Sequence, residues 1–181
     1  MQELEMSTLT TAQLRYFEAE YFYSQFIANS GPPREVYFKM VCYFDAFLFA
    51  LVSVEEMIDA SAKAHLREIE VFRFVKALRN ITMHHSVLVS PQPGAKFECP
   101  FSRHLSVSIG GAPDYEDSAK LAIRYDIFRC IFDAIEAQRP NEKATLDAAR
   151  YYLSKLESQA QPIFLESVLL DALNSVKAFV S

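Results

Sequence analysis

The stretch MVCYFDAFLFALVSV, residues 40–54, is very apolar and organises the predicted fold. It is shorter than the roughly 20 apolar residues of a membrane-spanning helix. It also contains Asp45 and runs into Glu55 and Glu56. These features predict a buried central helix from Arg34 to about Ala60 and no membrane insertion. Asp45, within an apolar run, is expected to need a buried partner.

The sequence on both sides of this stretch shows helical periodicity, interrupted at prolines and glycines. The Ser30-Gly31-Pro32-Pro33 segment ends the preceding helix, and Pro91 and Pro93-Gly94 end the following one. Charged side chains at the end of the central helix (Glu55, Glu56 and Asp59) are predicted to be solvated, and the alternative is that they face the third helix across the turn between the two helices. The predicted helices are Ser7 to Asn29, Arg34 to Ala60, Ala64 to Val89, Asp114–Asp117 to Ala137, Glu142 to Ser158 and Pro162 to Val180.

Residues from about 95 to 113 differ from the rest, because Phe101 to Ile109 partly alternates polar and apolar. This segment predicts an extended or small hairpin insertion. The expected fold class is all-α, an up-and-down helical bundle in a single domain, residues 1–181. The core bundle covers about 7–137, and a C-terminal helical addition covers about 141–181. The last amphipathic helix either packs on its own bundle or binds a partner.

Composition narrows the functional classes. The chain has 181 residues, 51% of them hydrophobic and 23% charged, which is typical of one globular domain. Its net charge of −5 argues against a broad basic surface for nucleic acid. An RNA-directed role therefore needs a local site or a groove between two copies.

Cysteine usage and the first residues indicate the compartment. Cys42, Cys99 and Cys130 are scattered without a CxxC pair, so neither a disulfide framework nor a zinc site is predicted. Cys99 and His104 are close in sequence, but two ligands do not make a metal site. No cofactor is expected. The sequence MQELEMSTLT lacks the features of a signal peptide, which favours a cytoplasmic protein.

The third predicted helix carries the chemically distinctive residues. On a helical wheel Arg73, Asn80 and His84 lie within about 40° of each other, beside Ala77. Arg79 lies about 140° from His84, and its long side chain could curl toward Asn80 or toward another subunit. The apolar face, which includes His85 as a core histidine, consists of Val71, Phe74, Val75, Leu78, Ile81, Thr82, His85 and Val89.

The segment Arg79-Asn80-x-x-x-His84 resembles the signature of the HEPN superfamily. In that signature an arginine is usually followed by a polar residue, and a histidine comes four to six positions after the arginine. The long apolar helix before the motif and the proline-rich stop after it fit the family over roughly residues 10–137. The resemblance implies a four-helix up-and-down fold and a homodimer in which the motif helices of two subunits form a composite cleft.

Many HEPN proteins are metal-independent endoribonucleases, often toxins or phage-defence components, and others are inactive binding or dimerisation modules. By this resemblance His84 is the catalytic base or acid, Arg79 stabilises charge on the phosphate and Asn80 positions the reacting groups. The alternative is a non-catalytic helical module that binds a nucleotide or protein partner through the same face. A third possibility is an antitoxin-like or regulatory partner of a nucleotidyltransferase. A further alternative is that these residues form a polar stripe that faces solvent or a subunit interface and has no catalytic role.

Overall fold

The computed structural model describes residues 9–30, 37–84, 88, 99–103, 120–159 and 161–181. The described residues form seven α-helices and two short β-strands, so the chain is mostly helical, as the periodicity predicts. A 3₁₀ turn at Pro140–Glu142 precedes α6. The elements are α1 (Thr11–Ala28), α2 (Tyr37–Met57), α3 (Ala60–Glu68), α4 (Glu70–His84), β1 (Phe101–Arg103), β2 (Leu121–Ile123), α5 (Tyr125–Gln138), α6 (Lys143–Glu157) and α7 (Leu165–Lys177).

Helix α1 begins at a capping box. The Thr10 hydroxyl accepts a hydrogen bond from the backbone N–H of Gln13 at 3.2 Å, and the Gln13 side chain accepts one from the Thr10 N–H at 2.8 Å. Two of the N–H groups that a helix start leaves unpaired are thereby satisfied. The predicted start at Ser7 lies outside the described residues.

Helix α2 is the central helix that its apolar sequence predicts. It runs antiparallel to α1, because Phe26 packs on Phe44 while Tyr23 packs on Phe47, farther along α2. None of the helices in the described ranges combines the length and hydrophobicity needed to cross a bilayer. The α2 side chains buried in the core are Met40, Phe44, Phe47, Leu48, Ala50, Leu51, Val52 and Val54.

The predicted third helix, Ala64 to Val89, is wrong in its continuity, because the structure divides it into α3 and α4 at Ile69. The backbone of Ile69 is extended (φ −75°, ψ 116°), which ends the helical hydrogen bonding of α3. The guanidinium of Arg73 then donates to the backbone carbonyl of Arg67 and pairs with Glu68 at 2.8 Å. Arg73 thus satisfies groups that the break leaves open, and Asp59 caps the new start of α3.

A second correction concerns the helix predicted to begin near 114–117. Leu121 and Ile123, expected on its apolar face, lie instead in strand β2, and α5 begins only at Tyr125. Strand β2 pairs antiparallel with β1, and on its other side Ile123 donates to the carbonyl of Ile163 at 3.0 Å. Strand β1 is extended as predicted for the 95–113 insertion, but its partner β2 lies outside that segment. Residues 104–119 lie outside the described part.

The C-terminal helices α6 and α7 belong to the same hydrophobic core as α1, α2 and α4. The ring of Tyr152 on α6 packs against Phe74 on α4, with 5.3 Å between centroids. Phe74 in turn meets Phe128 on α5. Of the two readings of the last helix, packing on its own bundle is the one observed. Its buried residues are Leu165, Val168, Leu169, Ala172, Leu173 and Val176.

Candidate functional site

The candidate site lies where α2 and α4 run side by side in opposite directions. At one end Glu55 of α2 contacts Lys76 of α4. Toward the other end the two helices leave a cleft of about 390 Å³, called here the α2–α4 cleft. It is lined by Asp45, Ala46 and Phe49 from α2 and by Arg79, Thr82 and Met83 from α4.

Arg79 is the cation of this cleft. One of its terminal nitrogens, Nη1, donates to the Asn80 side-chain oxygen at 3.1 Å, so the side chain does turn toward Asn80. Its Nε is buried and donates to no group of the residues that the structure describes. Within the described part of the chain, no carboxylate forms an ion pair with Arg79. The guanidinium therefore keeps donor capacity for an anion.

Asp45 is the acid of the same cleft, and the described residues do not include the buried partner expected for it. Its Oδ1 is buried and accepts no hydrogen bond from any of them. Burial raises the pKa of Asp45 from 3.8 to about 6, because a carboxylate removed from water is less stable ionised. Asp45 and Arg79, both among the described residues, line the same cleft but do not form an ion pair with each other.

This carboxylate makes stability depend on pH. Because folding raises the pKa of Asp45, its contribution is fully favourable below pH 3.8 and is lost as pH rises through about 6. We expect Asp45→Asn to change stability little near about pH 4 but to raise the free energy of unfolding near about pH 8, by at most about 3 kcal/mol. Urea unfolding at both pH values measures this difference. If the difference in free energy of unfolding between wild type and Asp45→Asn does not increase with pH, the raised pKa of Asp45 is contradicted.

The rim of the cleft is apolar. Phe49 is 46% exposed and Met83 55% exposed, although both are large hydrophobic side chains. They come from opposite helices and border the same opening. The Thr82 hydroxyl donates to the backbone carbonyl of Arg79 at 3.0 Å, so its proton is already used.

The predicted site residues are only partly brought together. Arg79 and Asn80 are in contact, and α4 continues as a helix through His84, its last residue. The His84 side chain and all of His85 lie outside the described part. Arg73, predicted to share a stripe with Asn80 and His84, is instead engaged at the α3–α4 break. Ala77, predicted to leave space beside that stripe, is buried.

Glu55 takes the second of the two positions predicted for it, facing the helix that carries the motif. Glu56 and Asp59 are exposed, as a solvated helix end predicts, but Glu55 is only 3% exposed. Lys76 donates to its Oε2 at 2.6 Å, and Arg67 donates to its Oε1. Burial acts to raise the pKa of Glu55, but these hydrogen bonds outweigh it and lower the pKa below its usual value. One buried carboxylate therefore ties α2 to both α3 and α4.

A second cleft, of about 290 Å³, lies between α4 and α6 and is bordered by three cations, Arg67, Arg73 and Lys76. Each of them already forms an ion pair with Glu55 or Glu68. The three cations therefore share two carboxylates, and each of them is already engaged in an ion pair.

The cysteine near β1 has a structural role. Cys99 donates from Sγ to the carbonyl of Leu88 at 2.8 Å, and burial raises the pKa of its thiol. Its predicted neighbour His104 lies outside the described residues. Across the described ranges, no group of three or more His, Cys, Asp or Glu side chains is arranged to hold a metal ion.

In comparisons with known proteins, no protein-family model, curated protein or solved structure matches the chain.

Proposed function

We propose that this chain is a HEPN-like protein that cleaves RNA without a metal ion, as a homodimer in which the two α4 helices meet. The observation that carries the proposal is the Arg79 guanidinium, which Asn80 holds beside the α2–α4 cleft on a helix that continues to His84. This is the residue order of the HEPN signature, placed in a helix that packs against an apolar α2.

The reaction that suits these residues is cleavage by the RNA's own 2′-hydroxyl. The 2′-oxygen attacks the adjacent phosphorus, and a base accepts its proton. The bond from phosphorus to the 5′-oxygen breaks, and an acid protonates that oxygen. The products are a 2′,3′-cyclic phosphate and a 5′-hydroxyl end. Histidine suits both proton transfers near neutral pH.

Each site residue has a role in this scheme. His84 of one subunit is the base, and the same residue of the second subunit is the acid. The negative charge that develops on the phosphate is stabilised by Arg79, whose planar guanidinium presents several donors. Asn80 contributes by accepting from Arg79 and limiting the positions it can adopt. Because the net charge is −5, the proposal requires the attraction for RNA to come from this local site and not from the surface as a whole.

A second candidate is a non-catalytic module that binds a nucleotide through the same cleft. The observation in its favour is Asp45, whose carboxylate shares the cleft with Arg79. An acid repels the phosphate chain but can accept hydrogen bonds from a base. Under this reading Arg79 and Asn80 bind ligand and the RNA stays intact.

The experiment that separates the two is end-group analysis of RNA incubated with the purified protein in EDTA. We expect cleavage that yields 2′,3′-cyclic phosphate and 5′-hydroxyl ends, and no cleavage at a position carrying a 2′-deoxyribose. Products with 3′-hydroxyl ends, or cleavage that requires added Mg²⁺, would reject the proposed mechanism. Intact RNA together with nucleotide binding would favour the non-catalytic module.

A further inference from the structure

Two residues that line the α2–α4 cleft each carry a buried polar atom that no described residue satisfies, an acceptor on Asp45 and a donor on Arg79. Buried polar atoms are almost always hydrogen-bonded in folded proteins, since an unpaired one costs free energy. The third such atom in the described part, the Tyr125 hydroxyl, is on α5, away from this cleft. Two opposite orphaned groups in one cleft indicate a ligand that offers both a donor and an acceptor.

The two groups select different parts of that ligand. An arginine with free donors binds an anion such as a phosphate. A carboxylate has two acceptor oxygens and pairs best with two N–H donors side by side. Because burial raises the pKa of Asp45 only to about 6, it is ionised at neutral pH and accepts from both donors.

Three other residues that line the cleft are apolar and suit a flat, apolar part of the ligand. Phe49 and Met83 offer exposed apolar surface, and Ala46 adds a small apolar side chain to the lining. An aromatic side chain at a rim is the usual platform for an unstacked nucleobase. The volume of about 390 Å³ lies within the range of small-ligand pockets, about 300–1,000 Å³.

Among the common bases, guanine alone presents two adjacent donors, N1–H and the 2-amino group, on its Watson–Crick edge. Adenine, cytosine and uracil each present one donor there. We infer that the α2–α4 cleft is a guanosine-nucleotide subsite. In it, Asp45 accepts from the guanine edge, Phe49 lies against the base and Arg79 binds a phosphate. Rotation about χ2 of Asp45, a soft torsion, turns its oxygens toward the base.

This inference deepens the proposed function and rests on it in one respect, because the guanosine is then a nucleotide of the RNA substrate. Binding of a free nucleotide does not require cleavage. The subsite can therefore be tested separately from the catalytic step.

The test is calorimetric titration of the full chain in EDTA with 5′-GMP, 5′-IMP and 5′-AMP. IMP lacks only the 2-amino group, so we expect it to bind about 10-fold more weakly than GMP or worse, as for loss of one member of a bidentate pair. Asp45→Asn should remove the preference for GMP over IMP. The matched control Asp171→Asn, at an exposed position on α7, should keep it.

A second variant guards against a merely structural effect of Asp45. Phe49→Ala changes an exposed side chain, so the fold should persist while GMP binds several-fold more weakly. Equal affinity for GMP and IMP, an unchanged preference in Asp45→Asn, or no GMP binding would each overturn the inference. GMP-selective binding without RNA cleavage would support the guanosine subsite and reject the proposed nuclease activity. RNA cleavage without GMP binding would support the nuclease activity and reject the guanosine subsite.

Discussion

Arg79→Lys is expected to slow RNA cleavage by about 10²–10³-fold, the usual cost of removing one donor to a developing negative charge. Lysine keeps the positive charge but concentrates its donors on one nitrogen, so it cannot reproduce the planar fork with which arginine contacts Asn80 and the phosphate. The measurement is the single-turnover cleavage rate of a defined RNA in EDTA. Circular dichroism of both proteins checks that the helices are unchanged.

Arg129→Lys is the matched control for this variant. Arg129 is exposed on α5 and pairs with Glu157 at the surface, away from the α2–α4 cleft. Its replacement by lysine should leave the cleavage rate within about 2-fold, since exposed ion pairs contribute little. Equal rates for Arg79→Lys and Arg129→Lys would show that Arg79 does not act on the reacting phosphate.

The double variant Arg67→Met/Lys76→Met is expected to lose about 3–5 kcal/mol of folding free energy near neutral pH. Arg67 and Lys76 are 54% and 34% exposed, whereas the Glu55 carboxylate between them is 3% exposed. Removing both cations leaves this buried carboxylate without a counter-ion. Urea unfolding of the wild type and the variant measures the difference.

The pH dependence identifies the cause of this loss. In the wild type, pairing lowers the pKa of Glu55, so the stability it contributes is present above pH 4.5 and is lost as pH falls through the folded value. In the double variant Glu55 is unpaired, and protonation at lower pH should relieve the penalty. The difference between the two proteins should therefore shrink on acidification.

The control for the double variant is Arg129→Met/Lys155→Met, which removes two exposed ion pairs, with Glu157 and Glu70. We expect it to lose less than about 2 kcal/mol, at no more than about 1 kcal/mol for each surface pair. A loss of similar size in both double variants would indicate that Glu55 has no special role in joining α2 to α3 and α4.

The helical architecture was predictable because it follows from hydrophobic periodicity. The apolar run in α2 identified the central helix, and the spacing of Leu165, Val168, Leu169 and Leu173 identified a helix with one buried face. What that pattern could not assign was whether the buried face meets its own bundle or a partner. Contact with α1 and α4 is a tertiary property, decided by how the whole chain packs.

Two local features were not predictable from single-residue signals. The break at Ile69 occurs without proline or glycine and is supported by Arg73, whose side chain reaches back to the carbonyl of Arg67. Strand β2 was assigned to a helix because Leu121 and Ile123 also fit helical spacing. Its extended form depends on pairing with β1 and with Ile163, which are distant in sequence.

The candidate site also contains features that the sequence could predict and features that depend on tertiary packing. The motif residues Arg79, Asn80 and His84 could be selected from the sequence because their types and spacing are distinctive, and the contact between Arg79 and Asn80 is present. The place of Asp45 beside Arg79 depends on the register between α2 and α4, which Glu55 helps to set. A charged residue in an apolar run is the signal that pointed to Asp45.

If α4 carries the catalytic groups of a ribonuclease, as we propose, replacing its last residue should nearly stop RNA cleavage. The measurement is the rate of RNA cleavage in EDTA by wild type, His84→Ala and His65→Ala, the last altering an exposed histidine on α3. We expect His84→Ala to lose at least about 100-fold in rate, as for removal of a general acid–base group, and His65→Ala to cleave as wild type does. Cleavage by His84→Ala at the wild-type rate would contradict the proposal.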